Sequence, residues 1–136
     1  MKLHRHGVKV LFCCLLLLMG TLSAAAQTEQ EADYTKYAGK IGPYAITLFI
    51  NMRSYGEEDA GYYYYNDRPQ TKFTLKMMEN EPNPKGFNKV VLYEYSPKGN
   101  HTGTFKGIVE GRGDGFYGTF TNGRGKKYEF QLMQQY

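Results

Sequence analysis

Cysteine, histidine and serine, on which much enzyme chemistry depends, are scarce in this chain of 136 residues, and tryptophan is absent. The two cysteines, Cys13 and Cys14, are adjacent within an apolar run near the N terminus. We expect the first 26 residues, which include this run, to be removed for the reason given below, and their removal leaves one histidine, His101, and two serines, Ser54 and Ser96. Without thiols, the remaining chain can form no disulfide, no thiolate metal site and no cysteine nucleophile.

The first 26 residues have the order of a secretory signal peptide. Three basic residues before position 10 are followed by an apolar run at 10–19, and small residues at 23–26 offer a cleavage site before Gln27. The apolar run is too short to be a comfortable permanent membrane anchor. We therefore expect an exported protein with no transmembrane segment after cleavage.

Cleavage also changes the charge balance. The whole chain has 17 basic and 13 acidic residues, and the leader carries three of the basic ones and none of the acidic ones, which leaves 14 against 13. No basic stripe survives, so we expect no nucleic-acid partner. Small secreted animal domains usually contain disulfides. Their absence favours the periplasm or the cell surface of a Gram-negative bacterium.

The rest of the chain alternates between apolar and polar residues, which is typical of β-strands. It predicts seven strands, at 41–52, 60–66, 71–78, 89–96, 101–110, 115–121 and 126–133. Most of the connections are short, so neighbouring strands are antiparallel. The sequence therefore predicts an all-β fold, a single up-and-down meander of seven or eight strands closed into a barrel, with a β-sandwich as the alternative. An eighth strand would arise if segment 41–52 bends and pairs twice.

Three further features complete the predicted organisation. Residues 27–40 are polar, and we expect a flexible lead-in with one short helical turn ahead of a barrel domain at 41–136. Pro82 and Pro84 predict a loop over 79–88. Gly-Thr-Phe recurs at 103–105 and 118–120, and such a glycine lets a ring lie across the bare backbone of a neighbouring strand.

Five segments together carry a resemblance to a known group of proteins: GKIGPYAI at 39–46, GYYY at 61–64, LYE at 92–94, TGTFKG at 102–107 and FYGTF at 116–120. The chain from 39 to 133 resembles small exported proteins common in Bacteroidetes, which are similar to short lipocalin-like or avidin-like meander barrels. The resemblance implies a periplasmic barrel. It supplies no functional residues, and the biotin-contact pattern of avidins is not recognisable.

Catalysis and metal binding find little support in the sequence. Ser96 and His101 flank one predicted turn, but a triad also needs an orienting carboxylate and an oxyanion hole, and no nucleophile motif is present. One histidine without cysteine excludes the usual zinc sets. The acidic run at 57–59 lacks the spaced oxygen ligands of a calcium loop. We therefore expect neither an enzyme nor a bound metal or cofactor.

Glu94 is the most informative candidate for a ligand-binding residue. Side chains alternate between the two faces of a strand, so if Val90 and Leu92 point inward, Glu94 points inward as well. A carboxylate inside a barrel must form an ion pair, accept hydrogen bonds or bind a ligand. It would anchor the polar head of a ligand. The expected wall residues are Tyr62, Tyr64, Phe73 and Tyr128. Two structural alternatives remain open: a register that turns Glu94 to water, and an internal pairing of Glu94 with Lys106 or a tyrosine hydroxyl.

These observations favour an exported, non-catalytic binding protein that holds a small apolar or amphipathic ligand in the barrel interior. One alternative is an interaction or inhibitor module of the cell envelope that acts through loops 53–59 and 79–88 or the outer tyrosines. Another is glycan binding on an aromatic face, for which the tyrosine run at 62–65 is the candidate.

Overall fold

Eight β-strands make up most of the chain that the computed structural model describes, which is residues 33–56, 58–112 and 114–136. The predicted signal peptide and residues 27–32 of the predicted lead-in lie outside the described residues. The strands are β1 Thr35–Ile41, β2 Tyr44–Ile50, β3 Asp59–Tyr65, β4 Phe73–Pro82, β5 Asn88–Tyr95, β6 His101–Val109, β7 Gly115–Asn122 and β8 Lys127–Gln134.

The eight strands form one closed antiparallel barrel. Each strand pairs with the next along the chain, and β1 pairs with β8 over Tyr37–Gln134 to Ile41–Phe130, which closes the sheet. The predicted all-β, up-and-down meander barrel is confirmed. The sandwich alternative is wrong because the β1–β8 pairing leaves no open edge between these two strands.

The eighth strand comes from a segment that the sequence analysis placed in the lead-in. Residues 35–41 form β1, and the chain turns at Gly42, which has φ +55°, before β2 begins at Tyr44. The barrel therefore starts at Thr35 rather than at residue 41, and no bend within 41–52 is needed. Gly39 permits the closure, because a Cβ there would lie 2.0 Å from the carbonyl oxygen of Gln131 on β8.

Strand β4 is also longer than predicted. It continues through a register shift between Met77 and Glu79 and ends at Pro82, which lies opposite Asn88. The predicted loop over 79–88 is therefore wrong for half of its length, since only 83–87 connects β4 to β5. A proline is tolerated at the last position of a strand, where the missing N–H removes little pairing.

The interior of the barrel is filled by its own side chains. Every strand contributes alternate apolar residues, and the largest fully buried side chains are Tyr37, Tyr63, Phe105, Phe116, Ile41, Ile46, Leu48, Ile50, Leu75, Met77, Leu92 and Leu132. Phe105 lies among three rings, with centroids 4.8 Å from Phe120, 5.2 Å from Phe130 and 5.3 Å from Tyr63. This packing leaves the barrel ends and the outer surface as places for a ligand.

Candidate functional site

Glu94 lies inside the barrel near the end that carries the β1–β2, β3–β4, β5–β6 and β7–β8 connections. It follows Val90 and Leu92 along the inner face of β5 and is only 4% exposed, whereas Tyr93 and Tyr95 alternate with it and are half-buried. Antiparallel pairing sets Glu94 opposite Leu75 on β4 and Gly103 on β6. The register that would turn Glu94 to water is therefore wrong.

Both carboxylate oxygens of Glu94 accept a hydrogen bond. The Tyr63 hydroxyl on β3 donates to Oε2, and the Thr102 hydroxyl on β6 donates to Oε1 at 2.6 Å. Of the two internal pairings left open by the sequence, the structure has the tyrosine hydroxyl, while Lys106 is exposed. Among the described residues, no cationic side chain forms an ion pair with Glu94.

The hydroxyl groups around Glu94 are held in their protonated form. Burial raises the pKa of Tyr63 far above its ordinary value, and the neighbouring Glu94 carboxylate raises it further. Burial also raises the pKa of Tyr65, and the hydrogen bond with Tyr63 lowers it in part. Tyr63 therefore serves the carboxylate as a hydrogen-bond donor at any ordinary pH.

A glycine makes room for this arrangement. A Cβ at Gly103 would lie 2.6 Å from Cζ of Phe120 and 3.2 Å from Cδ of Glu94. Gly103 thus lets a ring lie over bare backbone, as its Gly-Thr-Phe repeat predicts. The second glycine of the repeat works differently, because a Cβ at Gly118 would lie 2.1 Å from the carbonyl oxygen of Lys106.

Aromatic rings form a rim around this end of the barrel. Tyr65, Phe73 and Tyr128 pack against the core but stay partly exposed, and Tyr44 is 53% exposed. The Tyr44 ring lies 6.2 Å from Tyr65 and 6.3 Å from Tyr128. We call Tyr63, Tyr65, Phe73, Glu94 and Tyr128 the Glu94 cluster.

Cations already lie over two rings of this rim. The Arg68 guanidinium is 5.5 Å from the centroid of Tyr65, and the Lys126 ammonium is 5.1 Å from the centroid of Tyr128. Beside the rim, Pro43, Tyr44, Ala45, Tyr65 and Asp67 line an open recess of about 230 Å³. These two contacts show that ring faces at this end of the barrel hold positive charge.

The structure brings three of the predicted site residues together and separates two. Glu94, Phe73 and Tyr128 lie at the same end of the barrel. Tyr62 and Tyr64 do not line the interior as expected, because Tyr63 takes the inward position opposite Leu48 and its neighbours alternate outward. Both pack outside against Phe49, with centroids 4.9 Å and 6.3 Å away.

Sequence reasoning did not single out Tyr63, Tyr65 or Thr102. The run of four tyrosines reads the same in either phase, so alternation alone cannot tell which two point inward. The signal that resolves it is the pairing with β2, where Ile46 and Leu48 are plainly apolar and inward. Antiparallel partners share a face, so Leu48 and Ile46 assign Tyr63 and Tyr65 to the interior.

Ser96 and His101 take separate structural roles. The His101 ring stacks on Tyr93 at a centroid distance of 4.1 Å, and its Nε2 lies 2.8 Å from the carbonyl oxygen of Gly103. The Ser96 hydroxyl accepts a hydrogen bond from the backbone N–H of Asn100 at 3.4 Å. Within the described part of the chain, no group of three or more histidine, cysteine or acidic side chains is placed to hold a metal ion.

Two findings complete the description of the chain. Among residues 33–56, 58–112 and 114–136, no helix has the length and apolar character that crossing a membrane requires. Comparison of the chain with known protein families, curated proteins and solved structures found no match. The fold itself defines the class, an eight-stranded up-and-down barrel consistent with a lipocalin-like architecture, and the functional argument rests on the site.

Proposed function

We propose that this chain is an exported, non-catalytic binding protein of a bacterial envelope that holds a small amphipathic ligand at the Glu94 end of its barrel. The observation that supports this most is the carboxylate of Glu94, which is 4% exposed and, within the described part of the chain, accepts hydrogen bonds from two neutral hydroxyl groups and forms no ion pair. The signal-peptide order of the first 26 residues supports the export, and a glutamate among aromatic residues of a barrel supports the binding role.

The energetics of burial support a use for Glu94 beyond packing. Removing a carboxylate from water is expensive unless charge and hydrogen bonds compensate it, and apolar side chains of similar volume fill such positions at less cost. Tyr63 and Thr102 satisfy one lone pair on each oxygen. A carboxylate oxygen has further acceptor capacity, so the group can accept a hydrogen bond from a ligand.

The surroundings favour a ligand with a positively charged head. The rim rings of Tyr65 and Tyr128 hold the cations of Arg68 and Lys126 over their faces, and a buried carboxylate at the same end of the barrel is suited to an ammonium group. Because the interior is filled, the apolar part of the ligand packs against the partly exposed rim rather than entering the barrel. Phe73 and Tyr128 provide that apolar surface.

A matched pair of ligands tests this proposal. Octylammonium and octanoate have the same tail length and opposite head charges, so binding is measured for both by calorimetry and by the shift in melting temperature. We expect octylammonium to bind and to stabilise the protein, and octanoate to do neither. The isosteric variant Glu94→Gln keeps the shape and loses the charge, and it should lose the preference. Equal binding of both ligands, or binding of neither, contradicts the proposal.

The outer tyrosine face gives weaker support to the alternative of glycan binding on an aromatic surface. Phe49 and Tyr62 stack there, but the Lys36 ammonium lies 5.9 Å from the Phe49 centroid and the Lys72 ammonium lies 5.1 Å from the Tyr62 centroid. Side chains that already lie over the rings reduce the flat area a sugar needs. The Glu94 end of the barrel therefore remains the preferred site.

A further inference from the structure

The outer surface of β5 to β8 carries a regular array of polar side chains. Strand register aligns them in two neighbouring rows that run across the four strands. One row is Tyr93, Thr104, Thr121 and Lys127, and the next is Val91, Lys106, Thr119 and Glu129. Directly opposed residues in antiparallel strands have their Cβ atoms about 5 Å apart, so each row presents closely spaced functional groups.

This array lines a groove. The groove has a volume of about 810 Å³ and is open to solvent, and its polar lining includes Tyr93, Thr104, Lys106, Thr119, Thr121 and Lys127. Thr104, Thr119 and Thr121 contribute three hydroxyl groups, and Met78, Glu79 and Val91 complete the lining. The Tyr93 ring at one end is held in place by its stacking on His101 at 4.1 Å.

The groove has an excess of positive charge. Among the described residues, neither Lys106 nor Lys127 forms an ion pair, whereas Glu79 in the same groove lies 3.6 Å from the Lys89 ammonium. The nearby Glu129 lines the adjacent recess with Lys40. The groove therefore offers two lysines, three hydroxyl groups and a phenol to a ligand.

We propose that this groove binds an acidic oligosaccharide. Lysine ammonium groups bind carboxylate or sulfate groups, and threonine and tyrosine hydroxyls both donate to and accept from sugar hydroxyls. A stable protein interface has an apolar centre, whereas Met78 and Val91 are the two aliphatic residues among the nine that line this groove. A nucleic acid requires more phosphate contacts than two lysines supply.

This site is on the outside of the barrel and does not depend on the Glu94 cluster. The probes are trigalacturonate, its methyl ester with the same rings but no charge, a sulfated chondroitin tetrasaccharide, and inorganic sulfate. Each is titrated into ¹⁵N-labelled mature protein at low salt, and the amide shifts locate the binding. We expect shifts at Thr104, Thr119 and Thr121 with an acidic saccharide, at least tenfold weaker binding of the ester, and no displacement by sulfate at equal concentration.

Variants distinguish a specific binding site in the groove from nonspecific electrostatic attraction to the whole protein. Lys106→Gln and Lys127→Gln should each weaken binding of the acidic saccharide about fivefold, in line with a partly exposed charged contact, and Thr119→Val should weaken it about threefold by removing one hydroxyl. Lys85→Gln, an exposed lysine in the β4–β5 connection, changes net charge equally and should have no effect. Melting curves verify that each variant is folded.

Several results overturn the proposal: no binding of either acidic saccharide, equal binding of the methyl ester, displacement by inorganic sulfate, or an equal loss in Lys85→Gln. Amide shifts that occur only at the Glu94 end overturn it as well. Failure of octylammonium to bind bears on the Glu94 cluster alone, so the two proposals fail by different measurements.

Discussion

The Tyr63 hydroxyl donates a hydrogen bond to the Glu94 carboxylate, joining β3 to β5 across the inside of the barrel although 31 residues separate them in the sequence. Thr102 on β6 completes the set from the other side at 2.6 Å. The carboxylate thus ties together three strands that are not all neighbours in the sheet. A buried polar group with this many long-range partners should affect stability as well as binding.

Removal of the Tyr63 hydroxyl should destabilise the protein. The variant Tyr63→Phe keeps the ring but leaves one buried carboxylate oxygen without its donor, and we expect it to lower the free energy of unfolding by about 1–3 kcal/mol. The matched control is Tyr64→Phe, because the Tyr64 side chain lies outside the barrel next to Phe49. This variant should change the free energy of unfolding by less than about 0.5 kcal/mol. Urea unfolding at neutral pH measures the free energy of unfolding of both variants. Equal losses in the two would show that the Tyr63–Glu94 hydrogen bond does not stabilise the fold.

Alkaline pH should destabilise the fold through buried tyrosines. Burial raises the pKa of Tyr37 to about 12, with Tyr136 and Asp114 adding to the shift, and the pKa of Tyr63 is raised further. Above about pH 10 these groups ionise in the unfolded chain but stay protonated in the folded one, so the unfolded state binds fewer protons and stability falls as pH rises. Each such group contributes a slope of about 1.4 kcal/mol per pH unit.

Urea unfolding between pH 9 and 11.5 measures this slope. In Tyr37→Phe and Tyr63→Phe the decline should be shallower than in the wild type, since each variant removes one group that titrates only on unfolding. A wild-type stability that stays constant over this range would be inconsistent with protonated, buried tyrosines.

Gly103 should not tolerate a side chain. In Gly103→Ala the new Cβ would lie 2.6 Å from Cζ of Phe120 and 3.2 Å from Cδ of Glu94, and such overpacking costs about 1–3 kcal/mol. Gly123→Ala is the control, because its Cβ would meet only the Thr102 carbonyl oxygen at 3.5 Å. Adding Phe120→Leu to Gly103→Ala should recover part of the loss, and a double-mutant cycle that shows no coupling would refute the contact.

Alternation of side chains is sufficient to predict β5 to β8, but it leaves the position of Glu94 open, because β5 has apolar residues in both phases, Val90 and Val91 among them. Alternation does not assign the faces of β3, because its four consecutive tyrosines are the same on both faces. It also missed β1, because polar side chains such as Lys36 and Lys40 alternate with an inner face of Tyr37, Gly39 and Ile41. The filling of the interior depends on how Phe105 and its neighbours interlock across all strands. The rows of the outer groove depend on register between strands, which alternation within one strand does not contain.

The leader prediction has a direct test. Intact-mass analysis of the protein isolated from the periplasm of a Gram-negative host should give the mass of the chain beginning at Gln27. Ala26→Leu, which replaces the small residue before the cut, should slow cleavage and retain the precursor. A full-length mass for the exported wild-type chain would contradict the predicted cleavage.

A ligand that travels with the protein would be the strongest support for the Glu94 site. Native mass spectrometry of the mature protein, purified from the envelope of its own host, should show an additional small mass that denaturation removes. The same preparation of Glu94→Gln should lack that mass, because the variant keeps the volume of the side chain and loses the charge that holds the head group. Octylammonium added to the wild type should displace the native ligand, since both require the same carboxylate. If the wild type has the mass of the bare chain in every preparation, the protein retains no ligand and the Glu94 end is a structural feature of the barrel. If Glu94→Gln retains the ligand unchanged, the ligand lies elsewhere.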